Sequence, residues 1–321
     1  MKVLANDGIS KAGKIALEKA GYTVITEKVE QDNLAKEINS QNIEILIVRS
    51  ATTARKEMID QCPNLKLIGR GGVGMDNIDV DYAKSKGIKV INTPASSSQS
   101  VAELVMGQLF SISRFLFDAS QNMPEAHNGT FNQLKKKYAA GVELRGKTLG
   151  IIGFGRIGQA LASYALGVGM KVIAFDQIAY AADIIVPIEG HGGVKVKIET
   201  QQNMMQQLPH CDFISIHVPK QADGSAVLSA KELSTLKDGV RIVNAARGGV
   251  VNEKDLIAAL DSGKVAYAAI DVFDNEPTPM KELLAHAKVA STPHIGAATS
   301  EAQDRIGIEL ADQIVQAFGK K

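Results

Sequence analysis

Eleven short runs of aliphatic and β-branched residues, separated mostly by stretches long enough for a helix, leave this chain few ways to fold. They are Val3–Ala5, Val24–Thr26, Ile45–Val48, Leu67–Gly69, Val90–Asn92, Thr148–Ile152, Val172–Phe175, Phe213–Ile216, Ile242–Asn244, Tyr267–Ile270 and Val289–Ser291. Runs with little polar alternation suit strands covered on both faces, and such strands alternating with helices build right-handed βαβ units in parallel sheets. The runs fall into a group of five and a group of six. A length of 321 residues also exceeds what one core usually supports, at about 150 residues per domain. We therefore expect an α/β protein of two doubly wound parallel-sheet domains with a cleft between them.

Between the two groups, Ser98–Asp118 carries Val101, Leu104, Val105, Ile112, Phe115 and Leu116 at helical spacing with little polar face left over. A helix apolar nearly all round is buried, so this one is expected between domains or subunits, and a homodimer is the expected assembly. After the last strand, Thr299–Phe318 places Ala302, Ile306, Leu310 and Ile314 on one stripe, fit to carry the chain back to the first domain. The expected organisation is a substrate domain from 1–98, a cofactor domain from 99–291 and a return segment from 292–321. One stretch breaks the rhythm. Within Ile184–Thr200, Val194, Val196 and Ile198 alternate with Lys195 and Lys197 after a glycine-rich turn, which predicts a half-exposed β-hairpin, read as a surface excursion of the loop after the second strand of its group, with a role in oligomer contacts as the alternative.

A net charge of +1 gives no broad attraction to nucleic acid or to a membrane surface. No run approaches the about 18 apolar residues of a spanning helix, and the opening MKVLAND turns polar too early for a secretory core, so a cytoplasmic location is expected. Cys62 and Cys211 form no CxxC and have no nearby histidine pattern, so neither a disulfide framework nor a metal site is expected.

The stretch TLGIIGFGRIGQAL places Gly153, Gly155 and Gly158 directly after an apolar strand and at the opening of a helix, with Arg156 and Ile157 between the last two glycines. In that context the first glycine allows the tight turn, the second lets backbone approach a pyrophosphate, and the third lets helix pack on strand. The next strand ends in VIAFD, so Asp176 stands 18 residues after Gly158, placed to accept hydrogen bonds from a ribose diol and to repel a 2′-phosphate. NAD is therefore the expected cofactor rather than NADP.

Three further stretches each end a strand: NAARGGVV with Arg247, AIDVFDNEP with Glu276 and STPHIGAAT with His294. Open parallel sheets bind their ligands at the C-terminal edge, so the three side chains belong to the same edge as the cofactor turn. A guanidinium is always charged and should face an anion. Histidine titrates nearest neutrality and suits the proton of an alcohol, and a carboxylate beside it orients the ring and favours imidazolium.

In these motifs, and over essentially its whole length, the chain resembles the D-isomer-specific 2-hydroxyacid dehydrogenases. The resemblance implies a Rossmann NAD-binding domain inserted into a flavodoxin-like catalytic domain, with Arg247, Glu276 and His294 as the catalytic group and a small 2-hydroxy acid as substrate. Four segments, RSAT (49–52), GRGGVGMDNID (69–79), SVAELVMGQL (100–109) and TPHIGAATSEAQ (292–303), are similar to the family members that oxidise D-3-phosphoglycerate at the start of serine biosynthesis. That similarity implies that the backbone amides of Val73 and Gly74 receive the substrate carboxylate, that Arg49 and Asn77 lie on the phosphate side, and that one lysine of 135–137, foremost Lys137, adds positive charge. Alternatives remain a glyoxylate, hydroxypyruvate or D-lactate enzyme and, in another class, an NAD-sensing corepressor-like protein. Because the chain stops directly after the returning helix, feedback inhibition through an appended serine-binding domain is not expected.

Overall fold

The computed structural model describes every residue from Met1 to Lys321. The chain forms two compact units, one of Met1–Ser98 with Ala297–Lys321 and one of Gln99–Gly296.

The first unit holds a five-stranded parallel sheet of β1 (Lys2–Ala5), β2 (Thr23–Ile25), β3 (Ile45–Val48), β4 (Leu67–Arg70) and β5 (Lys89–Asn92), in the order β2-β1-β3-β4-β5. This is a doubly wound order, which reverses direction beside β1 and gathers the loops after β1 and β3 at one crevice. The sequence ILIV of β3 is buried along its whole length because helices cover both faces of a central strand. On one face lies the helix Ser300–Phe318, whose N-cap Thr299 accepts a hydrogen bond from the Ala302 amide at 3.2 Å. It buries Ala302, Ile306, Leu310 and Ile314, the stripe read from the sequence, and each large aliphatic of that set contributes about 1.5–3 kcal/mol. This helix crosses Lys11–Lys19 so closely that a Cβ on Gly13 would stand 2.6 Å from the Gly307 Cα.

The second unit holds β6 (Thr148–Ile152), β7 (Lys171–Phe175), β8 (Ala181–Ile188), β9 (Gly192–Gln201), β10 (Phe213–Ile216), β11 (Val240–Asn244), β12 (Val265–Ile270) and β13 (Val289–Ser291). They form one sheet in the order β13-β12-β11-β10-β6-β7-β9-β8, parallel except for β8, which runs against β9. The hairpin therefore exists, but the surface-excursion reading is corrected. Its second strand pairs in parallel with β7 through Ala174 with Thr200 and Phe175 with Gln201, which makes β9 the third strand of a Rossmann order. Lys195 and Lys197 concealed this because a strand near the sheet edge leaves alternate side chains in water.

The expected helix Ser98–Asp118 is two helices. The first ends at Arg114, Phe115 adopts a left-handed conformation with φ 58°, and the chain leaves in a new direction at 63°. No glycine or proline signals the break. Phe115 is held by packing, its ring centroid 5.1 Å from that of Tyr267 and 6.2 Å from that of Tyr138. Val101, Val105, Leu109 and Ile112 lie in this unit's own core, so the apolar face of the first helix is largely accounted for within one chain. No single helix is long and apolar enough to cross a membrane. Cys62 and Cys211 are free buried thiols in different units, pushed up by burial to about 11 and about 12 respectively.

Candidate active site

The glycine turn separates into three local problems. Gly153, at φ 90°, follows β6, and a Cβ there would lie 2.6 Å from the His217 carbonyl oxygen. A Cβ on Gly158 would lie 2.4 Å from the Gly153 oxygen, so the first and third glycines are demanded by the fold. Gly155 is different, because a Cβ there would meet nothing within 4 Å. Space beside a backbone that caps the helix Arg156–Gly167 is what a pyrophosphate approach requires, and no internal contact explains this glycine. Ile157 packs on the core and Arg156 is exposed on the first turn.

Gly153 and Gly155 line a cleft of about 770 Å³ together with Asp176, Gln177, His217 and Val218. That volume lies within the usual range of a small-molecule or cofactor site. The Asp176 carboxylate stands just beyond β7 and accepts a hydrogen bond from the Phe154 amide at 3.0 Å, which fixes it against the glycine turn. His217, which the sequence reading did not single out, keeps some surface at the cleft wall while its Nδ1 is enclosed. Burial pushes its imidazole down to about 3, so it stays neutral and is no acid–base group near pH 7.

β11, β12 and β13 are adjacent and parallel, and Arg247, Glu276 and His294 follow their C-terminal ends in that order. Asn244 clamps the turn after β11 by accepting from the Ala246 amide at 3.1 Å and donating to the Arg247 carbonyl at 3.0 Å. The glycine beside Arg247 has a packing reason, since a Cβ on Gly248 would collide with the Phe273 carbonyl oxygen at 1.8 Å. Arg247 Nη1 also donates to the Ala246 carbonyl at 2.6 Å. The Glu276 carboxylate accepts from the Phe273 amide at 2.9 Å and lies 2.8 Å from His294 Nδ1. With Nδ1–H donated to that carboxylate, a neutral His294 presents Nε2 as its basic atom.

Asp271 was also overlooked in the sequence. It is fully buried and accepts hydrogen bonds from the Thr292 hydroxyl at 2.6 Å and from the amides of Ile295 and Gly296 at 2.9 Å each. It thereby braces the loop on which His294 sits at φ 55°. The available signal was an aspartate inside the apolar run AIDVF.

The remaining candidates lie elsewhere. Arg49 follows β3, half-buried, and its guanidinium has no carboxylate partner. The amides of Val73 and Gly74, in the loop after β4, make no internal hydrogen bond, and Asn92 holds that loop by donating to the Val73 carbonyl at 2.7 Å. Asn77 departs from the expected phosphate role. Its amide nitrogen donates to the carbonyls of Arg49 at 2.7 Å and Thr52 at 2.6 Å, which uses both of its N–H groups. Lys137 pairs with Asp118 at 2.9 Å and lies over the Tyr138 ring, and the hydrogen bond to Asp118 raises its ammonium above the ordinary lysine value.

A dinucleotide cleft and a histidine–carboxylate pair along one parallel-sheet edge define a nicotinamide-dependent oxidoreductase. The NAD-binding-domain profile of the D-isomer-specific 2-hydroxyacid dehydrogenases matches residues 106–296. The chain is 42% identical to hydroxypyruvate reductase of Thermotoga maritima, over 99% of this chain and 98% of that protein. It is 40% identical to D-3-phosphoglycerate dehydrogenase of Sus scrofa over 98% of this chain, which spans only 56% of that longer protein. The NAD⁺-bound 3-phosphoglycerate dehydrogenase structure of Entamoeba histolytica superposes with a TM-score of 0.78 at 26% identity, covering 99% of this chain and 96% of that one. The chain belongs to the D-isomer-specific 2-hydroxyacid dehydrogenases, and it is an NAD-dependent enzyme.

Proposed function

We propose that the enzyme interconverts D-3-phosphoglycerate and 3-phosphohydroxypyruvate, the step that commits carbon to serine. The observation that carries this reading is Arg49, a cation at the C-terminal end of a buried strand with no carboxylate to neutralise it. Bound NAD supplies the hydride acceptor. His294 takes the substrate hydroxyl proton at Nε2, and Glu276 holds the ring by Nδ1 and stabilises the resulting imidazolium. Arg247 clamps the carboxylate and polarises the reacting oxygen, with the unspent amides of Val73 and Gly74 as further carboxylate donors. Arg49 reads the phosphate.

Hydroxypyruvate reduction is the second reading. It is favoured by the 42% identical relative of equal length and by Asp118, which occupies Lys137. The two substrates differ only in the phosphate, so Arg49→Ala separates the readings. A charge-assisted contact contributes about 1.5–3 kcal/mol, hence roughly ten- to a hundredfold in KM for the phosphorylated substrate alone. Equal weakening of glyoxylate, hydroxypyruvate and the phosphorylated acid overturns the phosphate assignment. A homodimer remains our reading of the assembly, supported by the exposed Phe110, Leu116 and Phe131, and a monomer mass in light scattering would contradict it.

A further inference from the structure

The turn that carries Arg49 is held almost entirely by side chains from outside it. Asp7, just past the end of β1, accepts from the Arg49 amide at 2.6 Å and the Thr52 amide at 3.0 Å through one carboxylate oxygen, and from the Thr52 hydroxyl at 2.7 Å through the other. Asn77 takes the two carbonyls of the same residues, and Asn6, itself buried, donates to the Thr52 hydroxyl at 2.9 Å. The polar backbone groups at both ends of the RSAT turn are thus fixed from opposite directions, while the one long cationic side chain on it is left without a partner.

The allocation of charge is informative. A carboxylate just past the end of the neighbouring β1 is the obvious counter-ion for Arg49, yet its contacts go to two amides and a hydroxyl. A salt bridge would have neutralised the guanidinium. Backbone contacts instead fix where it starts from and leave its charge available. We propose that Asp7 is a positioning residue for anion recognition: it sets the origin of the Arg49 side chain so that the guanidinium meets an anionic end of the substrate preorganised. This inference rests on the reading that Arg49 takes the substrate phosphate.

The test is a double-mutant cycle on the full-length enzyme with NADH, using 3-phosphohydroxypyruvate and hydroxypyruvate as the paired substrates. Asp7→Asn keeps one acceptor oxygen and turns the other into a donor, so the amides and the hydroxyl are no longer both held, which should raise KM for the phosphorylated substrate by about three- to tenfold. kcat and the KM for hydroxypyruvate should not move. Added to Arg49→Ala, the Asp7 change should bring no further selective loss, because there is no guanidinium left to position. Thr52→Val, which removes the hydroxyl and is close to isosteric, should give a smaller selective rise and serves if Asp7→Asn does not fold. If Arg49→Ala is selective but Asp7→Asn and Thr52→Val weaken both substrates equally, or add fully to Arg49→Ala, Asp7 is structural and only this inference falls. If Arg49→Ala is itself unselective, the phosphate reading falls and takes this inference with it.

Discussion

The C-terminal strand edges of the two units are built in opposite ways. In the second unit the polar groups behind β12 and β13 satisfy one another: Asp271 takes two loop amides and a hydroxyl, and Glu276 takes an amide and His294. In the first unit the loops after β3 and β4 end in donors with nothing internal to receive them, namely the Arg49 guanidinium and the amides of Val73 and Gly74. An edge that closes on itself holds a proton-transfer group in one geometry before substrate arrives. An edge left with donors is open to an anion. The first kind should therefore fail in turnover or stability when cut, and the second in affinity.

The largest effect belongs to His294. Changing it to Gln should lower kcat by about 10²–10⁴-fold in steady-state assays with NAD, with little change in melting temperature, because its side chain is 38% exposed and supports no core. Turnover near the wild-type rate would remove it from the mechanism. Asp271→Ala comes next and acts on stability. The buried Gly296 amide would lose its acceptor at about 1–3 kcal/mol, and the part-buried Ile295 amide would add less, read as a lower urea midpoint. An unchanged midpoint would mean that the loop relaxes to water and that the edge is less closed than described.

Glu276→Gln sharpens the contrast within the closed edge. The Glu276 carboxylate accepts from the Phe273 amide and from His294 Nδ1, and Gln keeps only one of the two oxygens, so the ring is held less firmly. In steady-state assays kcat should fall, by less than the roughly 10²–10⁴-fold expected of His294→Gln, with KM little changed. An unchanged kcat breaks the pairing. Gly155→Ala is the smallest in stability and tests whether openness predicts affinity in the second unit as well. With no atom within 4 Å of the new Cβ, stability should stay within about 0.5 kcal/mol while calorimetry shows weaker NAD binding. A large loss of stability would show that Gly155 is packed like Gly153.

Much of this was readable from the chain. Strands buried on both faces announce themselves as uninterrupted aliphatic runs, and the glycine turn and the Arg, Glu and His positions are tied to the strand ends they follow. What stayed hidden depended on distant partners. Nothing local marks Phe115 as a helix break, since Tyr138 and Tyr267 hold it there. Asp7, Asn77 and Asp271 are ordinary loop and strand-end polars until their acceptors and donors are known, and both N–H groups of the Asn77 side chain hold backbone. β9 reads as a surface feature because near a sheet edge the same alternation of Lys and Val serves either.

The crossing of Gly13 and Gly307 has a consequence for how the protein is made. Ile306, Leu310 and Ile314 complete a core whose other members include Val3, Leu17, Ile45 and Leu67, so the first unit is finished by residues that leave the ribosome roughly 200 positions after its last strand. Throughout that interval the nascent sheet lacks the helix that covers one of its faces, while the second unit, contiguous in sequence, has everything it needs to fold. The last helix therefore acts as a late lock on the first unit. Helix-breaking changes in the second half of 300–318 should act mainly on yield and aggregation during synthesis.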